Sequence, residues 1–284
     1  MTVRNPLMRH EWQSEIFQCK SNDISTFTSL LHTQLDRHDF TATTLGTVDG
    51  YPILACESRF YDPEKPSVLV SAGFHGEEPA GPWGLLHLLT KWEDGGPHSL
   101  NITLLPLVNP TGFLRGTRFN YNEQNPNRGF GFKDGRVLVQ EDTSEEGKIL
   151  IANSALLEES SRDGILTCHE DVLQTGSYLY TFEESSRPGI FSLTLLDTLK
   201  SCVALTDATE IDGLPLEGHL IHNHFDTSFE SYLVQAGAKV GVCSETGARQ
   251  PIDQRILANS ALSATSLSKQ NVRFEFSFPS WYRC

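Results

Sequence analysis

Short apolar runs alternate with helix-like segments along most of this chain, and this alternation limits the fold more than any other feature of the sequence. Six runs are bounded by Gly, Pro, Asn or charged residues and are predicted to be strands: residues 68–74, 102–108, 165–168, 178–182, 240–243 and 273–278. Helix-like segments lie at residues 24–35, 79–92, 145–160, 190–201, 229–236 and 254–266. This order predicts an α/β fold, in which a mixed, mostly parallel twisted sheet carries helices on both faces.

The first 66 residues add a different pattern to this alternation. Residues 41–58 are two β-prone runs that flank Asp49 and Gly50, a dipeptide that readily supplies positive φ for a tight hairpin turn. We expect residues 1–284 to form one domain, in which residues 1–66 are an N-terminal extension that packs on the sheet edge.

The amino-acid composition limits which partners the protein is expected to bind. A net charge of −14 and a pI near 5.1 oppose binding to a phosphate backbone, so nucleic acid is not expected as a partner. No run approaches the roughly 18 apolar residues of a membrane span, and no secretory signal opens the sequence. The six cysteines are scattered without a CxxC pair, which is typical of reduced thiols. We therefore expect a cytoplasmic protein that does not bind a membrane.

Residues 71–89, SAGFHGEEPAGPWGLLHLL, place a histidine and two glutamates between a predicted strand and a predicted helix. Strand ends at the carboxyl edge of an open α/β sheet are where such folds usually place their sites. Pro79 suits the first helical position, so Glu78 is expected near the N-cap, three residues after His75. An imidazole and a carboxylate at this spacing can both reach one zinc ion, which then needs a third protein ligand from elsewhere.

Two later strand ends offer the missing groups. The run GILTC delivers His169, a candidate third ligand, and the run VGVCSET carries Glu245 near its end. A catalytic zinc site keeps one position for water, and a separate carboxylate must accept the proton of that water. Glu245 can fill this role.

The order of these residues resembles that of the carboxypeptidase A family of zinc metallocarboxypeptidases, and is closest in pattern to its small bacterial members that trim murein peptides. The strongest matching stretch is residues 109–130, NPTGFLRGTRFNYNEQNPNRGF. The resemblance implies a zinc carboxypeptidase-like fold and one zinc ion, with His75, Glu78 and His169 as its ligands.

The same stretch implies the residues that contact the substrate. By the match, Arg118 stabilises the oxyanion that forms during attack on the carbonyl, and Arg115 is a less favoured alternative. Asn127 and Arg128 hold the terminal carboxylate of the substrate.

Residues 120–135 are polar and rich in Gly and Asn, which indicates a functional loop.

The sequence also departs from the family. Asn125 and Pro126 stand where the family commonly has Asp-Leu, which leaves the substrate pocket undefined. The tyrosine that covers the substrate in the family has no secure match, and the candidates are Tyr178, Tyr180 and Tyr232.

The sequence also contains residues for two alternative metal sites. The run EGHLIHNH contains His219, His222 and His224 at HxxH and HxH spacings; these histidines could hold a metal or line the substrate pocket. A second metal beside the zinc would need Glu77, Glu170 and Asp171; alternatively, Glu170 and Asp171 orient the ligand histidines.

These observations predict a zinc-dependent hydrolase that removes a C-terminal amino acid from a peptide with a free carboxylate. The alternative is a zinc-dependent deacylase of N-acyl amino acids, similar to aspartoacylase and succinylglutamate desuccinylase. A non-catalytic binding module is the third hypothesis.

Overall fold

The computed structural model describes residues 16, 22–59, 61–92 and 97–268. The strand predicted at residues 273–278 lies outside these residues. In chain order, the helices and strands are α1 (Ile24–Arg37), β1 (Phe40–Val48), β2 (Tyr51–Ser58), β3 (Ser67–Ala72), α2 (Ala80–Lys91), β4 (Asn101–Leu105), α3 (Pro110–Arg115), β5 (Phe130–Lys133), β6 (Arg136–Val139), α4 (Glu145–Ala152), α5 (Ser154–Ser160), β7 (Gly164–Asp171), β8 (Tyr178–Glu183), α6 (Ile190–Cys202), β9 (Glu210–Ile211), β10 (Leu214–Pro215), β11 (Leu220–His222), α7 (Phe229–Gln235), β12 (Val240–Gly247) and α8 (Ile252–Ser266).

Eight of these strands form one mixed sheet in the order β1-β2-β4-β3-β7-β12-β8-β11. Strands β4, β3, β7 and β12 run parallel to one another, and β1 and β2 pair antiparallel with their neighbours. Strand β8 pairs antiparallel with β12 but parallel with β11. The predicted fold class, a mixed and mostly parallel sheet, is confirmed.

Helices cover both faces of the sheet, as predicted. Successive side chains of a strand point to opposite faces. Val70 and Leu166 accordingly belong to the core under α2 and α8, and Leu69 and Ile165 belong to the core under α5 and α7. Burial on both faces explains why the central strands are continuously apolar rather than alternating.

The hairpin predicted around Asp49 and Gly50 forms the outer edge of the sheet. Both residues have positive φ, at 50° and 79°, as a tight two-residue hairpin turn requires. That residues 1–66 form an extension of this same domain stays a prediction.

One predicted helix is divided. Residues 145–160 form α4 and α5, because Asn153 turns out of helical geometry and its side chain donates to the carbonyl oxygens of Leu45 and Ile149. Asn competes with the helix for such backbone groups.

The sheet brings three strand ends to one edge. Ala72 pairs with Cys168 across β3 and β7, and Glu245 pairs with His169 across β7 and β12. The residues that follow β3 and those at the ends of β7 and β12 therefore share the carboxyl edge of the sheet. Among the described helices, none is both long and apolar enough to cross a bilayer.

Candidate metal centre and active site

A tight turn after β3 carries the first two candidate ligands. Gly76 lies so close to α3 that a Cβ atom at this position would come within 1.8 Å of the carbonyl carbon of Gly112. The Gly76 amide donates to the carbonyl oxygen of Thr117 at 2.9 Å, and Asn22 Nδ2 donates to the Gly76 carbonyl at 2.8 Å. The turn is thus clamped on both sides, which fixes the direction of His75 and Glu78.

His75, Glu78 and His169 converge at the carboxyl edge of the sheet. His75 Nδ1 lies 2.6 Å from Glu78 Oε1, and His169 Nδ1 lies 2.8 Å from Glu78 Oε2. One ligand atom from each residue lies within 4.8 Å of the other two, and the three side chains are buried. Two imidazole nitrogens and one carboxylate are a donor set typical of zinc, so the residues present fit such an ion.

The cluster is strongly coupled electrostatically. Burial alone would raise the pKa of Glu78, but the charges of His75 and His169 and their hydrogen bonds hold it at about 2. Burial lowers the pKa of His75, whereas Glu78 overcomes the burial of His169 and raises the pKa of that histidine to about 9. Without a metal, Glu78 is therefore a carboxylate that holds a proton on His169, and metal binding must displace that proton.

Two asparagines contact the outer nitrogens of the histidines. His75 Nε2 lies 3.0 Å from Asn125 Oδ1, and Asn127 Nδ2 lies 3.3 Å from His169 Nε2. Both asparagines come from the predicted functional loop at residues 120–135, whose last residues form β5 and turn toward β6. The loop therefore closes over the histidines.

The two candidate arginines of the GTR region are separated by the structure. Arg118 Nη1 lies 3.3 Å from Glu78 Oε1 and 3.8 Å from Glu77 Oε1, and its side chain is 39% exposed. Arg115 is exposed at the end of α3 and makes no ion pair among the described residues. Arg118 is thus the arginine beside the cluster.

Arg128 and Asn127 are adjacent in sequence but differ in their surroundings. The Arg128 side chain is 42% exposed; its Nη2 lies 3.4 Å from Asp226 Oδ2, and its Nη1 donates to the Asn127 carbonyl oxygen at 2.7 Å. Asn127 is buried, and its Oδ1 accepts from the Phe229 amide at 2.9 Å. Part of the Arg128 guanidinium therefore faces solvent, whereas the Asn127 side chain is buried and held in place.

Glu245 lies beside His169 in the sheet and is partly exposed. Burial of its carboxyl group, with added repulsion from Glu78 and Asp171, raises the pKa of Glu245 to about 8, against the opposing charges of His169 and Arg118. A metal cation in the cluster would lower this pKa again, because an opposite charge favours the carboxylate.

The neighbouring acidic residues have structural contacts. Glu170 accepts from the Ala80 amide at 2.6 Å, which caps the start of α2, and it also pairs with Arg255. Asp171 accepts from the Leu173 amide and from the Tyr178 hydroxyl, each within 2.9 Å. Neither bonds a ligand histidine, and within the described residues the only cluster with metal-ligand geometry is His75, Glu78 and His169.

The histidines of the EGHLIHNH run lie apart from this cluster. His222 uses both ring nitrogens, with Thr181 Oγ1 at 2.8 Å and the Ser185 carbonyl at 3.0 Å. His219 Nδ1 bonds the Thr206 carbonyl at 3.0 Å, and His224 is exposed. The structure does not bring the three together around a metal position.

The structure also locates the three tyrosines that are candidates for the residue that covers the substrate. Tyr232 is buried and donates to Glu158 Oε1 at 2.7 Å, between α7 and α5. Tyr178 pairs with Glu245 across β8 and β12, but its hydroxyl is held by Asp171. Tyr180 is two residues further along β8 and partly exposed.

Sequence reasoning missed Glu230, which is buried in the first turn of α7 and accepts from Asn127 Nδ2 at 3.5 Å. A glutamate early in a helix is ordinary, so no local signal marks this position. Its proximity to the site is a consequence of how α7 packs against β12 and β7.

Solved structures similar to the whole chain place it among metallopeptidases. The protein described as a "putative metallopeptidase" from Shewanella amazonensis SB2B is 50% identical, with a TM-score of 0.86, over 89% of this chain and 96% of that one. The chain belongs to this family. A second member, from Shewanella denitrificans OS217, is 47% identical, with a TM-score of 0.82, over 93% of this chain and 97% of that one.

More distant structures share the fold. The carboxypeptidase A of Helicoverpa armigera is 15% identical, with a TM-score of 0.62, over 95% of this chain and 83% of that one. The predicted carboxypeptidase-like fold is thereby confirmed.

A sequence family matches one part of the chain. Residues 64–163 match the succinylglutamate desuccinylase/aspartoacylase catalytic domain, and no curated protein sequence matches the chain. These findings, together with the His–Glu–His cluster, support a metal-dependent hydrolase.

Proposed function

We propose that this protein is a zinc-dependent hydrolase that removes a C-terminal amino acid from a peptide. The observation that carries the proposal is the convergence of His75, Glu78 and His169, with Glu245 in register beside His169. Three ligands and a separate acid/base carboxylate are the parts that metal-assisted amide hydrolysis requires.

In this proposal His75 Nδ1, Glu78 and His169 Nδ1 hold the zinc ion. When bound, the ion polarises the amide carbonyl and acidifies the attacking water. Glu245 accepts the proton of that water at its carboxylate and delivers it to the nitrogen of the departing amine. The ladder between β7 and β12 holds the backbone of Glu245 beside His169.

We assign Arg118 and Arg128 to two negatively charged groups of the reaction, the developing oxyanion and the substrate carboxylate. Arg118 lies against Glu78, so its guanidinium is at the edge of the cluster, where charge develops on the carbonyl oxygen. Arg128 is partly exposed, and it is assigned to the substrate carboxylate, with the fixed amide of Asn127 beside it.

The matched family segment favours a second candidate, an N-acyl amino acid deacylase. Residues 64–163 include His75, Glu78, Arg118, Asn127 and Arg128. Both activities hydrolyse an amide whose nitrogen belongs to an amino acid with a free carboxylate. They differ only in the acyl group, which is a peptide in one case and a small acid in the other.

A substrate panel on zinc-loaded protein tests the proposal. N-acetylated dipeptides with free carboxyl ends are compared with the N-acetyl, N-succinyl and N-formyl forms of single amino acids, and the released amino acids are quantified. We expect release from the peptides, and a fall in kcat of about 10²–10⁴-fold in Glu245→Gln at unchanged zinc content. If amino acids are released only from the N-acyl amino acids, the protein is a deacylase and not a peptidase. If the zinc-loaded wild type hydrolyses no member of the panel, the remaining hypothesis is a non-catalytic binding module.

A further inference from the structure

The chain at the start of α4 holds both ends of the loop that reaches the ligand histidines. At one end, Asn120 Nδ2 donates to Glu146 Oε2 at 2.7 Å. At the other end, Thr143 Oγ1 donates to the Gly129 carbonyl oxygen at 2.7 Å, and a Cβ atom on Gly129 would lie 2.6 Å from Thr143 Cα. The residues between these two ends are therefore anchored to one helix start.

Asn120 connects this anchor to the backbone of the loop. Its Oδ1 accepts from the amides of Asn122 and Gln124 at 3.0 and 2.9 Å, as Asn side chains often do in turns. Its own amide donates to the Gln124 carbonyl oxygen at 3.0 Å. Because Asn125 follows Gln124 directly, the bond between Asn120 and Glu146 sets where Asn125 lies.

Glu146 is an unusual residue for this anchor. It lies in the first turn of α4 and is buried. Burial raises the pKa of its carboxyl group, against hydrogen bonds that lower it, that from Asn120 among them. A buried carboxylate stabilises a fold little compared with an apolar residue of similar size. The bond that Glu146 makes to a distant part of the chain goes to Asn120, so its contribution is the position of the loop.

Two side chains of the loop contact the metal centre. Asn125 Oδ1 lies 3.0 Å from His75 Nε2, and Asn127 Nδ2 lies 3.3 Å from His169 Nε2. The Asn127 amide also donates to Asn125 Oδ1 at 3.0 Å, which links the two asparagines. A displacement of the loop therefore changes both contacts together.

We propose that Glu146 is a positioning residue, which acts through Asn120 to set the loop against His75 and against the substrate carboxylate. The part that concerns the substrate rests on the proposed function, in which Asn127 and Arg128 hold that carboxylate. The part that concerns the metal rests on the His–Glu–His cluster alone. Glu146 needs no contact with zinc or substrate for either effect.

The first test is zinc affinity, measured by competition with a chromogenic chelator. Glu146→Leu keeps a similar size but removes the acceptor of Asn120. It should weaken zinc binding by about 10-fold, because Asn125 no longer orients His75. Glu146→Gln keeps an acceptor oxygen for Asn120, so its zinc affinity should stay within about threefold of the wild type.

Glu183→Gln is the matched control. Glu183 is also a buried glutamate at a helix start, where it accepts from the Gly189 amide before α6 at 2.8 Å. It pairs with Val240, at the opposite end of β12 from Glu245. Glu183→Gln should therefore leave zinc affinity unchanged, even where it lowers the free energy of unfolding.

A double-mutant cycle separates positioning from a general loss of stability. If Glu146 acts on zinc through Asn125, Glu146→Leu should add no further loss of zinc affinity to Asn125→Ala. Should Glu146→Leu not fold, Asn120→Ala removes the donor of the same hydrogen bond and takes its place in each comparison.

The second test uses substrates at saturating zinc. An N-acetylated dipeptide with a free carboxyl end is compared with its carboxamide, and the corresponding N-acetyl amino acids serve for the deacylase. Glu146→Leu should raise KM for the free acid by about 10-fold with kcat nearly unchanged, as for lost uniform binding. KM for the carboxamide should not change, because it lacks the carboxylate that Asn127 and Arg128 bind.

Wild-type zinc affinity in Glu146→Leu would overturn the proposal. So would equal losses in Glu146→Leu and Glu146→Gln, or a loss that adds to that of Asn125→Ala, because Glu146 would then not act through the hydrogen bond to the loop. An unchanged KM for the free acid would overturn the part that concerns the substrate. If the wild type hydrolyses no substrate, the proposed function fails, and the zinc affinities alone decide whether Glu146 positions His75.

Discussion

At the scale of single residues, the two ligand histidines are held by different outer contacts. Both present Nδ1 to Glu78, so each must direct Nε2 away from the metal position. His75 Nε2 meets an amide oxygen, that of Asn125, where the carboxypeptidase family commonly has an aspartate. A metal bound at Nδ1 leaves a proton on Nε2, and Asn125 Oδ1 is an acceptor for that proton.

Asn125→Ala should weaken zinc binding by about 10- to 100-fold, because His75 loses the contact that fixes its tautomer and orientation. Asn125→Asp should bind zinc at least as tightly as the wild type, since a carboxylate accepts the same proton and raises ligand basicity. Competition with a chromogenic chelator measures both affinities. Asn122→Ala is the control, because Asn122 is in the same loop but bonds Glu145 in solvent. Equal affinities for all four proteins would show that Asn125 does not orient His75.

At the scale of elements, the strand–turn–helix unit around His75 could be predicted from the sequence in detail. A buried apolar run, a polar junction and Pro79 at the helix start are local signals, and they correctly located β3, the turn and α2. The sequence did not show that Gly76 is needed for contact with α3, because Gly112 is distant in the chain. The short distance between the two glycines exists only after the elements pack.

Gly76→Ala should disrupt this unit. Its Cβ would lie within 1.8 Å of the Gly112 carbonyl carbon, so either the turn or α3 must move. We expect a loss of about 2–3 kcal/mol in the free energy of unfolding of the metal-free protein, together with loss of bound zinc. Urea unfolding and elemental analysis measure the two effects. Gly164→Ala is the matched control, since its Cβ would meet Phe191 and Val240 at an ordinary 3.5 Å. Unchanged stability and zinc content in Gly76→Ala would contradict the clamp.

Other elements could not be predicted from the sequence, for a similar reason. The break between α4 and α5 depends on Asn153, which bonds β1 through the Leu45 carbonyl, a contact more than 100 residues away. Residues 120–135 contain β5 and the turn toward β6, because Phe130 packs against Phe229 and Tyr232. The position of Glu230 follows from the same packing of α7. Such long-range contacts have no local signal.

At the scale of the whole molecule, the candidate site is assembled by the sheet rather than by any one segment. His75 follows β3, His169 ends β7 and Glu245 lies in β12, and these strands are neighbours because helices cross over between them. A ligand that binds His75, Glu78 and His169 therefore links parts of the chain that are about 90 residues apart. Such a ligand binds the native state alone and stabilises the fold as a unit.

Zinc should therefore raise the thermal stability of the protein through this cluster. At a free zinc concentration 100 times Kd, the gain is about 2.7 kcal/mol. For a domain of this size the gain corresponds to an increase in Tm of roughly 5–10 °C. Calorimetric scans with zinc and with a chelator measure the difference for each protein, so a loss of intrinsic stability in a variant does not enter the comparison. His75→Ala should abolish the zinc-dependent shift, whereas His222→Ala should retain it, because both ring nitrogens of His222 bond Thr181 and Ser185. If the zinc-dependent increase in Tm persists in His75→Ala and disappears in His222→Ala, the metal binds at the histidines of the EGHLIHNH run. Glu245 could then not have its proposed role.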